Sequence, residues 1–210
     1  MFIKDLTITI VTPQGRRDKL IRQLDYLSCL ENKIIIADSS IEKLNFDYLI
    51  NVPGNIDYHH VIDLNYHEKL NLVLVNVSTQ FVINLTDDDF TNLSAIQQGI
   101  EFLKKNKDYS CVAGYFLDFN EKNLSICKGV SLNQNKKIKR MIIENFCSKS
   151  IFLRLLYWSC AYRSITTQHH LCRTEVKKRS MSYLKENIFN DLMYTDRIPL
   201  ASDSIEGNIK

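Results

Sequence analysis

Three short apolar runs, each closed by a polar or acidic group, constrain this chain more than any other feature. Leu6, Ile8 and Ile10 alternate with Thr7, Thr9 and Val11, the period of two that a strand requires. Ile34-Ile35-Ile36-Ala37 is continuous and mostly β-branched, and it runs into Asp38-Ser39-Ser40. A run of that kind suits a strand covered on both faces. Phe81-Val82-Ile83-Asn84-Leu85-Thr86 is the third, and it ends in Asp87-Asp88-Asp89. Between the first two runs, Thr12-Pro13-Gln14-Gly15 breaks the chain. Leu20, Ile21, Leu24 and Leu27 then recur at helical spacing, predicting an amphipathic helix from Arg16 to Leu30. Strand, helix, strand is a βαβ unit, which in a parallel sheet is right-handed in nearly every case.

The same alternation continues. Val61-Ile62-Asp63-Leu64 reads as a short strand. Leu70, Val73, Leu74 and Val77 fit either a helix or a strand; helix is preferred because Phe81–Leu85 is the better strand and needs a crossover before it. Leu93, Ile96, Ile100 and Leu103 define another helix, capped by Asn92 or by the box-spaced Ser94-Ala95-Ile96-Gln97. Tyr109–Phe116 reads as a further strand. Residues 117–140 are polar and end in Lys136-Lys137-Ile138-Lys139-Arg140, whereas Met141–Trp158 and Glu175–Asp191 read as helices. The expectation is an α/β chain with a Rossmann-type, mostly parallel sheet flanked by helices. It forms one domain over 1–210, an α/β half at 1–116 and a mainly helical half at 117–210.

Composition narrows the partners. No run approaches the length of a membrane span, and Met1-Phe2-Ile3-Lys4-Asp5 lacks the order of a signal peptide. The expected location is cytoplasmic, with peripheral contact at the inner face of a membrane left open. A net charge of +3 is too small to imply nucleic acid. None of the 6 cysteines forms a Cys-x-x-Cys pair, so they read as reduced thiols. His169-His170-x-Cys172 has the look of a zinc corner, but the sequence offers no second cluster of ligands.

The acidic triplet carries the chemistry. Adjacent carboxylates about 5 Å apart at an effective dielectric of about 20 repel by roughly 3 kcal/mol per pair. Water or a cation must offset that. Mg²⁺ and Mn²⁺ favour oxygen ligands, and Mg²⁺ is typically held by one or two carboxylates plus substrate phosphates. Ligands of open α/β sheets bind outside the carboxyl ends of the strands, which is where these aspartates fall.

On these residues the chain resembles the family-two-type glycosyltransferases of the GT-A fold. Thr7-Ile8-Thr9-Ile10-Val11-Thr12-Pro13, with Arg16 and Arg17 opening a helix, looks like the start of that family. Ile34–Ser40 is similar to its second strand, and Val82-Ile83-Asn84-Leu85-Thr86-Asp87-Asp88-Asp89-Phe90 to its Asp-x-Asp strand. The resemblance covers residues 5–116. It implies a nucleoside-diphosphate sugar donor, Mn²⁺ or Mg²⁺, and a saccharide or lipid-linked acceptor in surface-polysaccharide or glycoconjugate assembly. Asp38 would contact the base. Asp87 would lie near the ribose or base and also beside the metal held by Asp89. Thr12, Pro13, Arg17 and Asp88 would complete the donor pocket.

The family commonly places a catalytic Glu-Asp pair about a hundred residues further on. This chain has Glu186-Asn187-Ile188-Phe189-Asn190-Asp191 instead, making Asp191 the candidate base and Glu186 the second. Two rival readings stand beside the inverting glycosyltransferase. One is a sugar nucleotidyltransferase, which would carry a Gly-rich loop after the first strand where only Gly15 is found. The other is a shortened, non-catalytic nucleotide-sugar-binding module.

Overall fold

The computed structural model describes residues 1–113, 116–117, 140–141, 148–160, 169–186, 202–203 and 205–209. In chain order the elements are β1 (Leu6–Thr12), α1 (Arg17–Leu27), β2 (Lys33–Asp38), β3 (Ile56–His60), α2 (Tyr66–Val75), β4 (Phe81–Thr86) and α3 (Leu93–Lys105). They continue with β5 (Tyr109–Val112), β6 (Phe116–Leu117), β7 (Arg140–Met141), α4 (Ile151–Cys160), β8 (Leu171–Arg173), α5 (Thr174–Glu186) and β9 (Asn208–Ile209). Seven strands form one sheet in the order β3-β2-β1-β4-β8-β5-β9, and β6 and β7 form a separate antiparallel ribbon. The first four strands of that order run parallel, β8 lies antiparallel between β4 and β5, and β9 is parallel to β5.

The strand alternation sorts the core into two layers. Ile8, Ile10, Ile34, Ile36, Phe81, Ile83 and Leu85 face one way and cluster with Leu20, Leu24 and Leu27 of α1 and Ile96, Ile100 and Leu103 of α3. Val11, Ile35, Ala37 and Val82 face the other way, onto Leu70, Val73 and Leu74 of α2 and Met181 of α5. Burial on both faces is what the continuous Ile34–Ala37 run requires.

Several boundaries differ from the sequence reading, each for a local reason. α1 stops at Leu27, and Leu30 N instead donates to Leu27 O in a closing turn. The strand expected at Val61–Leu64 is Ile56–His60. The β2 ladder pairs Ile34 with Ile56, and Val61 N closes it onto Asp38 O. That strand is at the sheet edge and half-buried throughout. It tolerates Asp57, His59 and His60, and so lacks the apolar run that marks a central strand. β5 ends at Val112, and Phe116 belongs to the β6–β7 ribbon. Asn92 caps α3 through Ala95 N. Met141 pairs in β7, α4 begins at Ile151, and residues 142–147 and 187–191 lie outside the described residues. The late half is also not helical alone, since it supplies β8 and β9 to the main sheet. No helix among the described residues is long and apolar enough to cross a membrane.

Gly207 shows how tightly β9 is seated. A Cβ there would stand 2.8 Å from Ser110 N and 2.9 Å from Asp108 O, both backbone atoms. Neither can move without opening the β5–β9 pairing. Gly207→Ala is therefore expected to cost about 1–3 kcal/mol, the usual scale of overpacking. Urea denaturation checks it, and an unchanged midpoint at an unchanged slope would remove the claim.

Candidate functional site

The parallel register brings the three strand ends level. Thr12 pairs with Asp38, and Val11 pairs with Thr86, so Asp87 follows immediately beside Thr12. Asp38 and Asp87 are both 1% exposed and flank β1. The Asp38 carboxylate accepts Ser40 N at 2.8 Å and Ser40 Oγ at 2.6 Å on one oxygen, and the Tyr58 hydroxyl at 2.7 Å on the other. Tyr58 is pushed well above the usual phenol range, first by burial and then by its bond to Asp38.

Lys69 is the residue that sequence reasoning missed. It is 3% exposed on the core face of α2. Its Nζ donates to Thr12 O at 2.8 Å and Ser39 Oγ at 2.7 Å, tying β1 to the loop after β2. Burial lowers its pKa, and the charges of Asp38 and Asp87 oppose that fall. The available signal was spacing: Lys69 precedes Val73 by one helical turn, on the apolar stripe.

The acidic triplet divides into three different environments. Asp87 accepts the Thr12 hydroxyl, and Arg16 Nε lies 3.2 Å from its other oxygen. Burial raises its pKa, while Thr12 and Arg16 pull it down. Asp88 also pairs with Arg16, and with Lys19 at 3.1 Å and Thr86 Oγ1 at 3.0 Å. Burial would push Asp88 up, but the bonds from Lys19 and Thr86 and the two cations together hold it below the usual carboxylate value. Asp89 is exposed. It meets Thr86 Oγ1 at 2.6 Å and His169 Nε2 at 3.4 Å. Burial lowers the pKa of His169, against the pull of Asp89.

One stripe of α1 clamps this loop. Arg16, Lys19, Arg22 and Tyr26 succeed one another at spacings of three or four residues. Arg16 and Lys19 hold the aspartates. The Arg22 guanidinium lies 5.3 Å from the Phe90 ring centroid, Tyr26 meets that ring edge-on at 5.0 Å, and the Tyr26 hydroxyl donates to Thr91 O. Arg17, the arginine expected in the pocket, instead faces solvent and Glu42 at 3.4 Å. Pro13 is exposed on the rim directly after Thr12.

The geometry therefore gathers Thr12, Asp38, Asp87, Asp88 and Asp89 at one end of the sheet, and adds Arg16, Lys69 and His169. Glu186 is the last residue of α5, and Asp191 lies outside the described residues. As a cation site, Asp87 and Asp88 are already neutralised by protein groups. Asp89 keeps a solvent-facing carboxylate with an imidazole beside it. That donor set fits a divalent ion completed by phosphate oxygens, the usual arrangement for Mg²⁺.

No protein-family model matches the chain, and no curated protein matches it in sequence. Solved structures do match in shape. S. aureus TarS, in its 1-349 form, superposes with a TM-score of 0.52 at 15% identity, over 97% of this chain and 58% of that one. The same form in complex with UDP-GlcNAc gives 0.55 at 14% identity, over 97% and 56%. A 2-C-methyl-D-erythritol 4-phosphate cytidylyltransferase from Thermus thermophilus gives 0.51 at 6% identity, over 95% and 85%. The chain thus spans little more than half the length of the TarS 1-349 chains. At these identities the likeness is one of fold, and the fold is a GT-A-like α/β sheet flanked by helices.

Proposed function

We propose that this chain is a glycosyltransferase that takes a nucleoside-diphosphate sugar into the crevice at the ends of β1, β2 and β4. One observation carries the reading. Buried Asp38, the clamped Asp87–Asp88 pair and solvent-facing Asp89 are brought together at level strand ends. A similarly folded protein, TarS, holds UDP-GlcNAc. In this reading Asp38 and Thr12 face the nucleoside, Arg16 lies where the diphosphate enters, and Asp89 with His169 holds Mn²⁺ or Mg²⁺. When bound, the cation would supply charge neutralisation for the departing nucleoside diphosphate. The acceptor, a saccharide or lipid-linked hydroxyl, attacks the anomeric carbon in line, with inversion. Asp191 takes its proton, with Glu186 as the second candidate. Arg16 is held at that point by Asp87 and Asp88, and a guanidinium can bond phosphate bidentately.

A second reading, nucleotidyl transfer, is favoured by the Thermus thermophilus match, which spans 85% of that chain. The absence of a Gly-rich loop after β1 ranks it lower. Product analysis separates the two. The protein is incubated with UDP-GlcNAc and Mn²⁺ and with UTP and a sugar phosphate, each with acceptor extracts. Release of UDP supports sugar transfer, and release of pyrophosphate supports the rival. Tight binding without either product supports a non-catalytic module.

A further inference from the structure

On the α2/α5 side of the sheet, three buried groups converge from distant parts of the chain. Cys111 of β5 and Cys172 of β8 stand directly opposite each other in the antiparallel ladder, both 0% exposed. Asp203, whose carbonyl accepts Ser110 Oγ at 2.7 Å, lies over them. The two Sγ atoms and a carboxylate oxygen all lie within 4.8 Å of one another. Ser180 Oγ holds Asp203 Oδ1. Among the described residues, Asp203 Oδ2 faces the thiols and the buried Lys177 ammonium, 3.8 Å away, with no full hydrogen bond. His170 lies two residues before Cys172, at the entry to β8. It is 1% exposed, and neither ring nitrogen has a hydrogen-bond partner among the described residues.

We propose that Cys111, Cys172 and Asp203 form a structural site for a thiophilic divalent cation of the zinc class, with His170 turning in as the fourth ligand. The donor set is two sulfurs, a carboxylate oxygen and an imidazole nitrogen, all ligand types that Zn²⁺ accepts in tetrahedral sites. Zinc–sulfur bonds of about 2.3 Å place tetrahedral sulfurs about 3.8 Å apart, so a cluster whose ligand atoms lie within 4.8 Å of one another needs to close by at most about an ångström. His170 lies outside the 4.8 Å group and completes the set by side-chain rotation.

The charge balance is preserved. Without the ion, the buried set is two thiols, one carboxylate and one ammonium, with no net charge. Binding forms two metal–thiolate bonds and releases two thiol protons, so the dication replaces two protons and the sum is again zero. Lys177 stays as the neighbour that offsets Asp203, with Tyr66 and Glu206 the further titratable groups that act on this pair. The sequence showed only the His169-His170-x-Cys172 corner. Folding supplies the second pair of ligands, from 61 residues before Cys172 and 31 residues after it.

The test uses the full chain, treated with reductant and chelator and then titrated with Co²⁺ and with Zn²⁺. One equivalent of Co²⁺ is expected to produce a near-ultraviolet thiolate-to-cobalt band. One equivalent of Zn²⁺ is expected to abolish that band and raise Tm. Cys172→Ser and Cys111→Ser lose the band, whereas Asp89→Ala retains it, which separates this site from the crevice. Should the serine variants fail to fold, thiol labelling of the wild type in mild denaturant decides: Zn²⁺ is expected to protect two cysteines. A folded wild type with no band and no protection, or an intact mass showing a Cys111–Cys172 disulfide in place of metal, overturns the proposal. The proposal does not rest on the transferase reading and survives its failure.

Discussion

Replacing Asp89 with alanine is expected to leave the protein folded and to abolish Mn²⁺-dependent binding of UDP. Asp89 is exposed, and its contacts are with the Thr86 hydroxyl and His169 at the rim. Losing it costs the core nothing. It is also the one carboxylate of the triplet that no Arg or Lys of the described residues neutralises, because Arg16 and Lys19 are taken up by Asp87 and Asp88. An affinity loss of at least about a hundredfold, about 2.7 kcal/mol, should appear in calorimetry with Mn²⁺, and far less in chelator. Equal UDP affinity of wild type and variant in Mn²⁺ would sink the assignment of the cation to Asp89.

Lys69→Met is the second large effect, and it should strike stability and binding together. Methionine matches the aliphatic stem but removes the ammonium that bonds Thr12 O and Ser39 Oγ. It also takes away a buried positive charge that Asp38 and Asp87 both help to hold. Hydrogen bonds to a charged group are worth about 1.5–3 kcal/mol each. A stability loss of about 2–4 kcal/mol is expected from the two bonds, measured by urea denaturation. UDP affinity should fall at least about tenfold at a temperature where the variant stays folded, because the β1 and β2 ends would no longer be tied. A variant as stable as wild type with unchanged affinity would show that the ammonium is only a buried accident.

The parts of this fold visible in the sequence are those where local pattern and burial agree. β1, β2 and β4 sit in the sheet interior, so their apolar patterns are unambiguous, and the aspartates that close β2 and β4 fall at the strand ends by necessity. β3 was misplaced because an edge strand needs no apolar run. β8 was invisible because three residues, Leu171–Arg173, have no period, and their place between β4 and β5 is fixed only by pairing over long separations. At the site, Asp38 and Asp87 could be read from position. Arg16 could not be separated from Arg17, since one residue of helix rotation decides which points inward. Lys69 was hidden by its residue type: lysine is almost never fully buried unless paired.

The place of β8 has a consequence for how the protein comes to be folded. β5 belongs to the first half of the chain, yet among the described residues its sheet partners are β8 and β9, from beyond residue 170. The first 116 residues alone would leave β5 without a neighbour and β4 with an open edge. On the ribosome that edge waits while more than fifty further residues are made. Unpaired apolar edges are templates for wrong pairing, and long-range pairings close slowly. The nascent first half is therefore the species most exposed to aggregation. Truncation after β5 should yield an insoluble fragment rather than a small nucleotide-binding unit, because its sheet is completed by strands it does not encode.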